Sequence, residues 1–360
     1  MRKRQWALVV LLILCVSGCL RVVSGRADGV EKIKVLVVQD ARSIEIRGDS
    51  GGAFQADRGP SGAVTINGTD RAAHVKVAPR DEFVYLNGKP YRGTVEIYNG
   101  KDGLYAVNEV SMEYYLASII NNEISSKWHR EAIKAQAVIA RTYALYQKRK
   151  RLKEQYHVAG NVMGQVYSGA DTEDSASFKA VRDTAGEIVA YKGEPALAVY
   201  HSNAGGRTDS SGDIWAHEYP YLRGVESPYD PDLAWEVRIA GRELETLLKR
   251  AGYKTGELEA VYALASTPGK RVKTVVVQDA SGAKIRLSGE DLRKTIGYGT
   301  LKSTIFEVLR SGDEFVFKGR GSGHGVGLSQ WGAKGMAEAG YPYEKILKHF
   351  YPGTDLIRAY

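Results

Sequence analysis

Residues 108–149 constrain this chain most, because they hold the longest helical pattern in the sequence. From Glu131 to about Tyr146 nothing breaks a helix, and Ile133, Ala137, Ala140 and Ala144 recur at four- and three-residue steps. That spacing predicts one small-residue face, which permits close packing against the body. Just upstream, the run Ile119-Ile-Asn-Asn-Glu-Ile124 sets one acid, Glu123, among amides and apolar neighbours, and Ser125 and Ser126 are N-cap candidates for the following helix. Glu123 is therefore expected at a junction between two helices. On an adjoining face Lys134, Val138, Arg141 and Leu145 line up. Two cations seven residues apart differ by roughly 20° in direction and ~10 Å along the axis, so both can look into one groove. Two solvated cations on a helix surface are the plainer reading of the same spacing.

Residues 1–26 read as a targeting segment, with Arg2, Lys3 and Arg4 as a basic region and 6–16 as an apolar run too short to span a bilayer comfortably. Val16-Ser-Gly-Cys19 is similar to a bacterial lipobox, in which Cys19 becomes the lipidated first residue; a signal cleaved near Ser24-Gly25 is the alternative. Either reading predicts export to the cell envelope, with the membrane reached through the signal or a lipid anchor. Both cysteines, Cys15 and Cys19, fall in this segment, so the exported body has neither a disulfide nor a thiolate metal site. About 330 residues remain, enough for one large core or two smaller ones. A net charge of +8 implies an acidic partner. For an exported chain that means wall polymers or anionic lipid head groups, and no zinc-finger, helix-turn-helix or RNP-like pattern argues for nucleic acid.

Residues 27–106 predict strands and turns, with Asn87-Gly88 as a hairpin signal, and contain no evident chemistry. After the central helix, a second informative block runs from Ala198 to Thr208: an apolar strand leads into His201-Ser202-Asn203-Ala204-Gly205-Gly206-Arg207-Thr208. Its two glycines predict close backbone approach or positive φ. Residues 236–318 change to a helix, 241–251, followed by β-rich material and a second short helix, 290–296. This part is expected to be an inserted small α+β subdomain without a catalytic candidate. The third block is Gly319-Arg-Gly-Ser-Gly-His324-Gly-Val-Gly-Leu-Ser-Gln330-Trp331-Gly. No G-x-G-x-x-G register survives in it and no Gly-Lys-Ser/Thr is present, which excludes dinucleotide and P-loop readings.

Three segments together resemble the stage II sporulation protein D family, the SpoIID/LytB group of peptidoglycan-lytic proteins. They are Glu113-Tyr-Tyr-Leu, Glu123-Ile-Ser and Glu131-Ala-Ile-Lys-Ala-Gln-Ala-Val-Ile-Ala-Arg-Thr-Tyr143; the His201 block; and the Gly319–Gln330 block. The resemblance implies an α+β fold, with residues 107–360 as the catalytic domain. It also implies lytic transglycosylase activity on MurNAc-GlcNAc strands stripped of stem peptides, leaving 1,6-anhydro ends. Some relatives act as modifiers of a wall amidase, so a non-catalytic glycan binder with an amidase partner is the alternative.

Glycosidic cleavage needs a proton donor for the leaving oxygen, and where the muramic acid's own C6 hydroxyl attacks, a single acid/base suffices. Glu123 suits that role if partial burial favours its protonated form, a trend that Lys134 and Arg141 would oppose. Those two cations are therefore assigned to substrate binding, together with His201, Ser202, Gly205, Gly206, Thr208, His324 and Gln330. Glu113 is the competing acid. Tyr114, Tyr115, Trp128, Tyr200, Trp215 and Trp331 could stack on sugars, with core packing as the alternative. Ser202 paired with His201 or His324 lacks a G-x-S-x-G elbow. A zinc site from His201, His217 and His324 is conceivable, but some family members bind zinc through cysteine, and this chain has none there. Neither a metal nor another cofactor is expected.

Overall fold

A computed structural model describes residues 30–48, 52–160 and 165–360; the targeting segment, including Cys19, lies outside the described residues. The architecture is α+β, with a β-rich N-terminal region. Two compact units divide it: residues up to Glu123 with Gln147–Phe178, and Ile124–Tyr146 with Lys179–Tyr360.

The first unit carries a five-stranded and a six-stranded sheet. Alternation in Ser43–Gly48 turns Ile44 and Ile46 into the core while the intervening residues stay outside. Asn87-Gly88 makes the expected hairpin, with φ of 48° and 81°, and Asn67-Gly68 repeats the device at 48° and 74°. In each turn the asparagine Oδ1 accepts a backbone N–H from the neighbouring strand, from Glu45 at 3.0 Å and from Gln55 at 2.9 Å, which fixes the register of three strands at once.

Leu104–Ser111 is the central strand of the five-stranded sheet, antiparallel to both Lys32–Ala41 and Thr94–Asn99. It runs without a break into helix α1, Met112–Glu123. Asn108, fully buried on that strand, donates to the carbonyls of Arg92 (2.9 Å) and Thr94 (3.0 Å) and accepts from the Tyr167 hydroxyl (2.7 Å). Both amide hydrogens and the amide oxygen are bonded inside the core, which makes it an anchor for the helix start.

Helix α2, Arg130–Lys150, begins later than the serine pair suggested. Ser125 instead closes a turn, its carbonyl accepting from Trp128 N and its hydroxyl from Lys127 N, and His129 takes the capping position with its carbonyl on Ala132 N and Ile133 N. Burial is also wider than one small-residue stripe. Besides Ile133, Ala137, Ala140 and Ala144, the residues Ala132, Ala135, Val138, Ile139 and even Gln136 and Arg141 are buried, because alanines let neighbouring elements close in on more than one side.

Helix α3, Ser175–Asp183, precedes the strand Glu187–Tyr191, which pairs with Asp355–Arg358. The second unit holds two hydrophobic clusters. One joins α2 to Val326, Leu328 and the C-terminal helices α7, Gln330–Glu338, and α8, Tyr343–Phe350. Between α3 and α7 in sequence come the short helix α4, Ser211–Ile214, α5, Gly241–Arg250, and α6, Gly289–Ile296. The second cluster is built from Trp235, Leu244, Leu248, Val275, Leu292 and Phe317, so the 236–318 segment brings apolar residues of its own.

Gly169 offers a test of the packing under α1. At φ +73° its added Cβ would fall 2.1 Å from the Pro90 carbonyl oxygen, whereas Gly88, at φ +81°, has open space around it. Gly88→Ala should lose only the left-handed backbone cost, about 1–2 kcal/mol, and Gly169→Ala at least about 2 kcal/mol more through the clash. Urea unfolding of the two variants checks the difference; equal losses would contradict the packing described.

Candidate functional site

Glu123 is the last residue of α1, and the polar end of that helix is tied to residues 165–172. Tyr115 donates its hydroxyl to Gln165 Oε1 (2.9 Å), Thr172 Oγ1 donates to the Ser118 carbonyl (2.7 Å), and Asn121 Nδ2 to the Thr172 carbonyl (2.6 Å). Ser118 also donates to the Gly169 carbonyl, and Asn122 Nδ2 to Val166 O at 3.0 Å. On this frame Glu123 is half-buried, and its Oε1 accepts the Val166 N–H at 3.3 Å. Its carboxyl is thus aimed by a backbone donor from the same unit. Glu113, the competing acid, sits in the first turn of α1, where a carboxylate complements the helix dipole.

In the second unit, the two cations of α2 occupy different surroundings. Lys134 is half-buried, with Glu131 Oε1 at 3.4 Å, Asp183 Oδ2 at 4.0 Å and the Tyr343 ring 5.4 Å from its ammonium. Arg141 is fully buried and donates from Nη1 to the Glu187 carbonyl (3.0 Å) and from Nη2 to the Val181 carbonyl (3.3 Å). It therefore joins helix to strand inside the core and does not share a groove with Lys134.

The two glycine-rich blocks, remote in sequence, are zipped together. Tyr200–His201 runs parallel to Leu328–Ser329, and Asn203 and Ser322 exchange both backbone hydrogen bonds at 2.9 Å. A backbone bond at 3.0 Å from Trp331 N to Ser202 O continues the seam. Gly205 and Gly206 have φ of +72° and +98°, which fits their expected backbone role. Asp230 braces this loop: its Oδ2 accepts Ala204 N (2.9 Å) and Gly206 N (3.4 Å), while Oδ1 accepts the Ser329 hydroxyl (2.5 Å). Burial raises the Asp230 pKa, against the lowering effect of those donors. Thr208 is buried and exchanges hydrogen bonds with the Val225 backbone, so its side chain supports the loop. Gln330, 7% exposed, opens α7 and donates to Gln136 Oε1 at 3.4 Å.

The histidines meet at the centre of this block. The His201 and His324 rings lie 5.3 Å apart, and Trp215 packs on His324 at 5.4 Å. His324 Nε2 lies 2.9 Å from the Tyr200 carbonyl and Nδ1 accepts Val326 N at 3.1 Å, which fixes the Nε2–H tautomer. His201 Nδ1 lies 3.1 Å from the Val326 carbonyl and must carry the proton there; its buried Nε2 has no hydrogen-bond partner among the described residues. Desolvation pushes His324 down to about 4 and His201 well below the usual histidine range, with Arg271 and Arg293 adding to both shifts. His217 is exposed and packs on Tyr219. Among the described residues, no group of three His, Cys, Asp or Glu converges as a metal site would require. Of the aromatic candidates, Tyr115 is core, Trp215 belongs to the histidine block, and Trp128 packs on Trp331 at 5.0 Å with Lys334 over both rings.

Sequence reasoning missed three charged residues here. Asp230 lies in a Pro-flanked stretch without a motif of its own. Asp209 and Arg271, both buried and paired with Nε to Oδ2 at 3.3 Å, are 62 positions apart and carry no spacing signal.

The neutral histidines set a pH dependence. His157, in the first unit, is likewise pushed to about 4 by burial, with Lys148 and Lys34 contributing. Between the ordinary histidine value of about 6.5 and about 4, the unfolded chain binds protons that the folded chain does not. Stability present at pH 7 should therefore fall as pH drops through that window, by on the order of 1–2 kcal/mol per histidine at pH 5. Denaturant unfolding at pH 7 and pH 5 checks this; a flat profile would contradict neutral buried imidazoles.

A family model described as Stage II sporulation protein, SpoIID, matches residues 100–191, and one described as a domain of unknown function matches residues 215–327. An uncharacterized protein of Brachyspira hyodysenteriae is 34% identical to this chain, over 76% of this chain and 73% of that protein. The amidase enhancer of Bacillus subtilis is 31% identical over 76% of this chain, which spans only 45% of that relative. Stage II sporulation protein D of Bacillus amyloliquefaciens is 29% identical, over 85% of this chain and 90% of its own. With the sporulation D proteins matched along most of their length and the family model covering Glu123 and both cations of α2, the chain belongs to the SpoIID family.

Proposed function

We propose that this protein is a lytic transglycosylase of peptidoglycan glycan strands, with Glu123 as its single acid/base. The observation that carries the reading is the half-buried Glu123 carboxyl, held at the end of α1 by the Val166 N–H. A half-buried carboxyl fixed at the end of a helix has the placement that a proton donor needs, and the backbone donor supports the carboxylate that remains after proton transfer. In the reaction Glu123 gives its proton to the glycosidic oxygen as the bond to muramic C1 breaks. The muramic C6 hydroxyl closes on C1 and returns its proton to Glu123, so no water is consumed.

The second unit carries exposed motif residues of its own. Ser202, Gly205, Gly206 and Arg207 keep accessible surface in the His201 block. Lys134 and His324 keep partly exposed surface for polar groups of the glycan, and the net charge of +8 suits an acidic polymer. Arg141, Thr208 and His201 act behind that surface, holding the backbone that presents it. The protein works in the cell envelope, reached by the N-terminal signal and retained through Cys19 if that residue is lipidated. Among the described residues no helix is long and apolar enough to cross a membrane.

The relative named amidase enhancer favours one second reading, a glycan-binding modifier of a wall amidase. Glu123→Gln separates the two. The variant should bind glycan like wild type and form 1,6-anhydromuramic ends at least about 100-fold more slowly, with Glu113→Gln close to wild type. Mass spectrometry of amidase-denuded strands reads the products. A Glu123→Gln variant with full activity would move the acid elsewhere, and a wild type that binds without cutting would leave the modifier role.

A further inference from the structure

The 236–318 segment sends the Arg271 side chain into the histidine block. Arg271 follows the turn that contains Lys270, at φ +65°, and is 0% exposed. Its Nη2 donates to the Ala204 carbonyl at 2.9 Å, in the His201 block, and its Nε lies 3.3 Å from Asp209 Oδ2. Asp209 is held in turn by the Thr267 hydroxyl (2.9 Å) and Gly269 N (2.8 Å), and its own N–H bonds to the Gly325 carbonyl at 2.8 Å. Gly325 is at φ +81°, and a Cβ there would fall 1.9 Å from Arg271 Nε and 2.0 Å from its Cζ. The guanidinium thus occupies the space that any other residue beside His324 would fill. One buried group touches both glycine-rich blocks.

This contact is costly for packing alone. Arg271 Nε and Nη1 make no hydrogen bond among the described residues, and a buried ion pair so incompletely satisfied is often no more stable than an apolar replacement of similar size. Its distinctive effect is geometric and electrostatic: a fixed cation against the Gly325 backbone, next to two neutral imidazoles. Arg293 is the other cation acting on those rings. It is bonded to the carbonyls of Leu301 and Lys302, and the latter accepts Gly323 N.

We propose that Arg271 is a positioning residue for the glycan-binding block: pinned by Asp209, its guanidinium fixes the Ala204 and Gly325 backbones and thereby the His324 ring and the loop that face the substrate. The 236–318 segment then acts as a clamp on the two glycine-rich loops. The identity of the ligand rests on the transglycosylase reading, but the placement of the rings does not.

Two variants test this in the full chain. Arg271→Gln removes the charge and the fork; Arg271→Lys keeps the charge but cannot serve Ala204 and Asp209 in the same planar geometry. Thermal unfolding establishes that each is folded, 15N spectra of histidine-labelled protein report tautomer and titration, and sedimentation with denuded glycan reports affinity. In Arg271→Gln the His324 midpoint should rise, because the Arg271 charge adds to the lowering by burial, and the tautomer should become mixed. Arg271→Lys should leave the midpoint low, and both should bind glycan about tenfold more weakly. Folded variants with wild-type tautomers, titration and affinity would overturn the proposal. If Arg271→Gln does not fold, the Lys variant decides alone. A wild type without glycan affinity would sink the transglycosylase reading, and the histidine spectra would still decide the role of Arg271.

Discussion

The burial of α2 is the constraint on which the second unit depends. Ala132, Ala135, Ala137, Ala140 and Ala144 keep that helix thin enough for neighbours to approach on several sides, and its polar side chains bond to backbone. Arg141 spans to the carbonyls of Glu187 and Val181, and the Thr142 hydroxyl accepts Val189 N at 3.0 Å. The strand Glu187–Tyr191 is thereby registered against the helix by two consecutive side chains. These bonds are satisfied internally, so losing either partner would strand a buried polar group, which costs more than the bond's net worth.

That arrangement separates two kinds of motif residue. Arg141, Thr142, Thr208 and Asp209 are directed inward and hold chain segments, while Ser202, Gly206 and Lys134 keep surface. Their proximity in sequence reflects one compact device: a loop that must be rigid yet present backbone to a ligand needs buried bracing immediately behind exposed glycines. The neutral histidine pair belongs to the same device. Each ring spends a nitrogen on a backbone carbonyl, so the imidazoles help join Tyr200 to Val326, His201 from within and His324 with part of its surface exposed.

Much of this was legible in the sequence. The alanine-rich helix, the helical junction at Glu123 and the glycine-dense loops all follow from periodicity and turn chemistry, and each of them formed. Burial depth was not legible. Helical spacing gives the direction in which Arg141 points, but not that Glu187 and Val181 fill that direction. The start of α2 was misplaced because a serine's capping preference is local, whereas the turn through Trp128 is set by where the chain must enter the core. Asn67-Gly68 carried the same hairpin signal as Asn87-Gly88. Arg271 and Asp230 had no signal at all, since a buried charge is recognised by its partners, and those partners lie far away in sequence.

The chemistry assigned to Glu123 needs no water, and isotope labelling addresses that directly. Denuded glycan digested by the wild-type protein in water enriched in oxygen-18 should give anhydromuramic ends without label, because the C6 oxygen of the sugar closes the ring. Reducing-end muramic acid carrying one labelled oxygen per cut would mean that water attacks, and a second catalytic carboxylate would then have to be found.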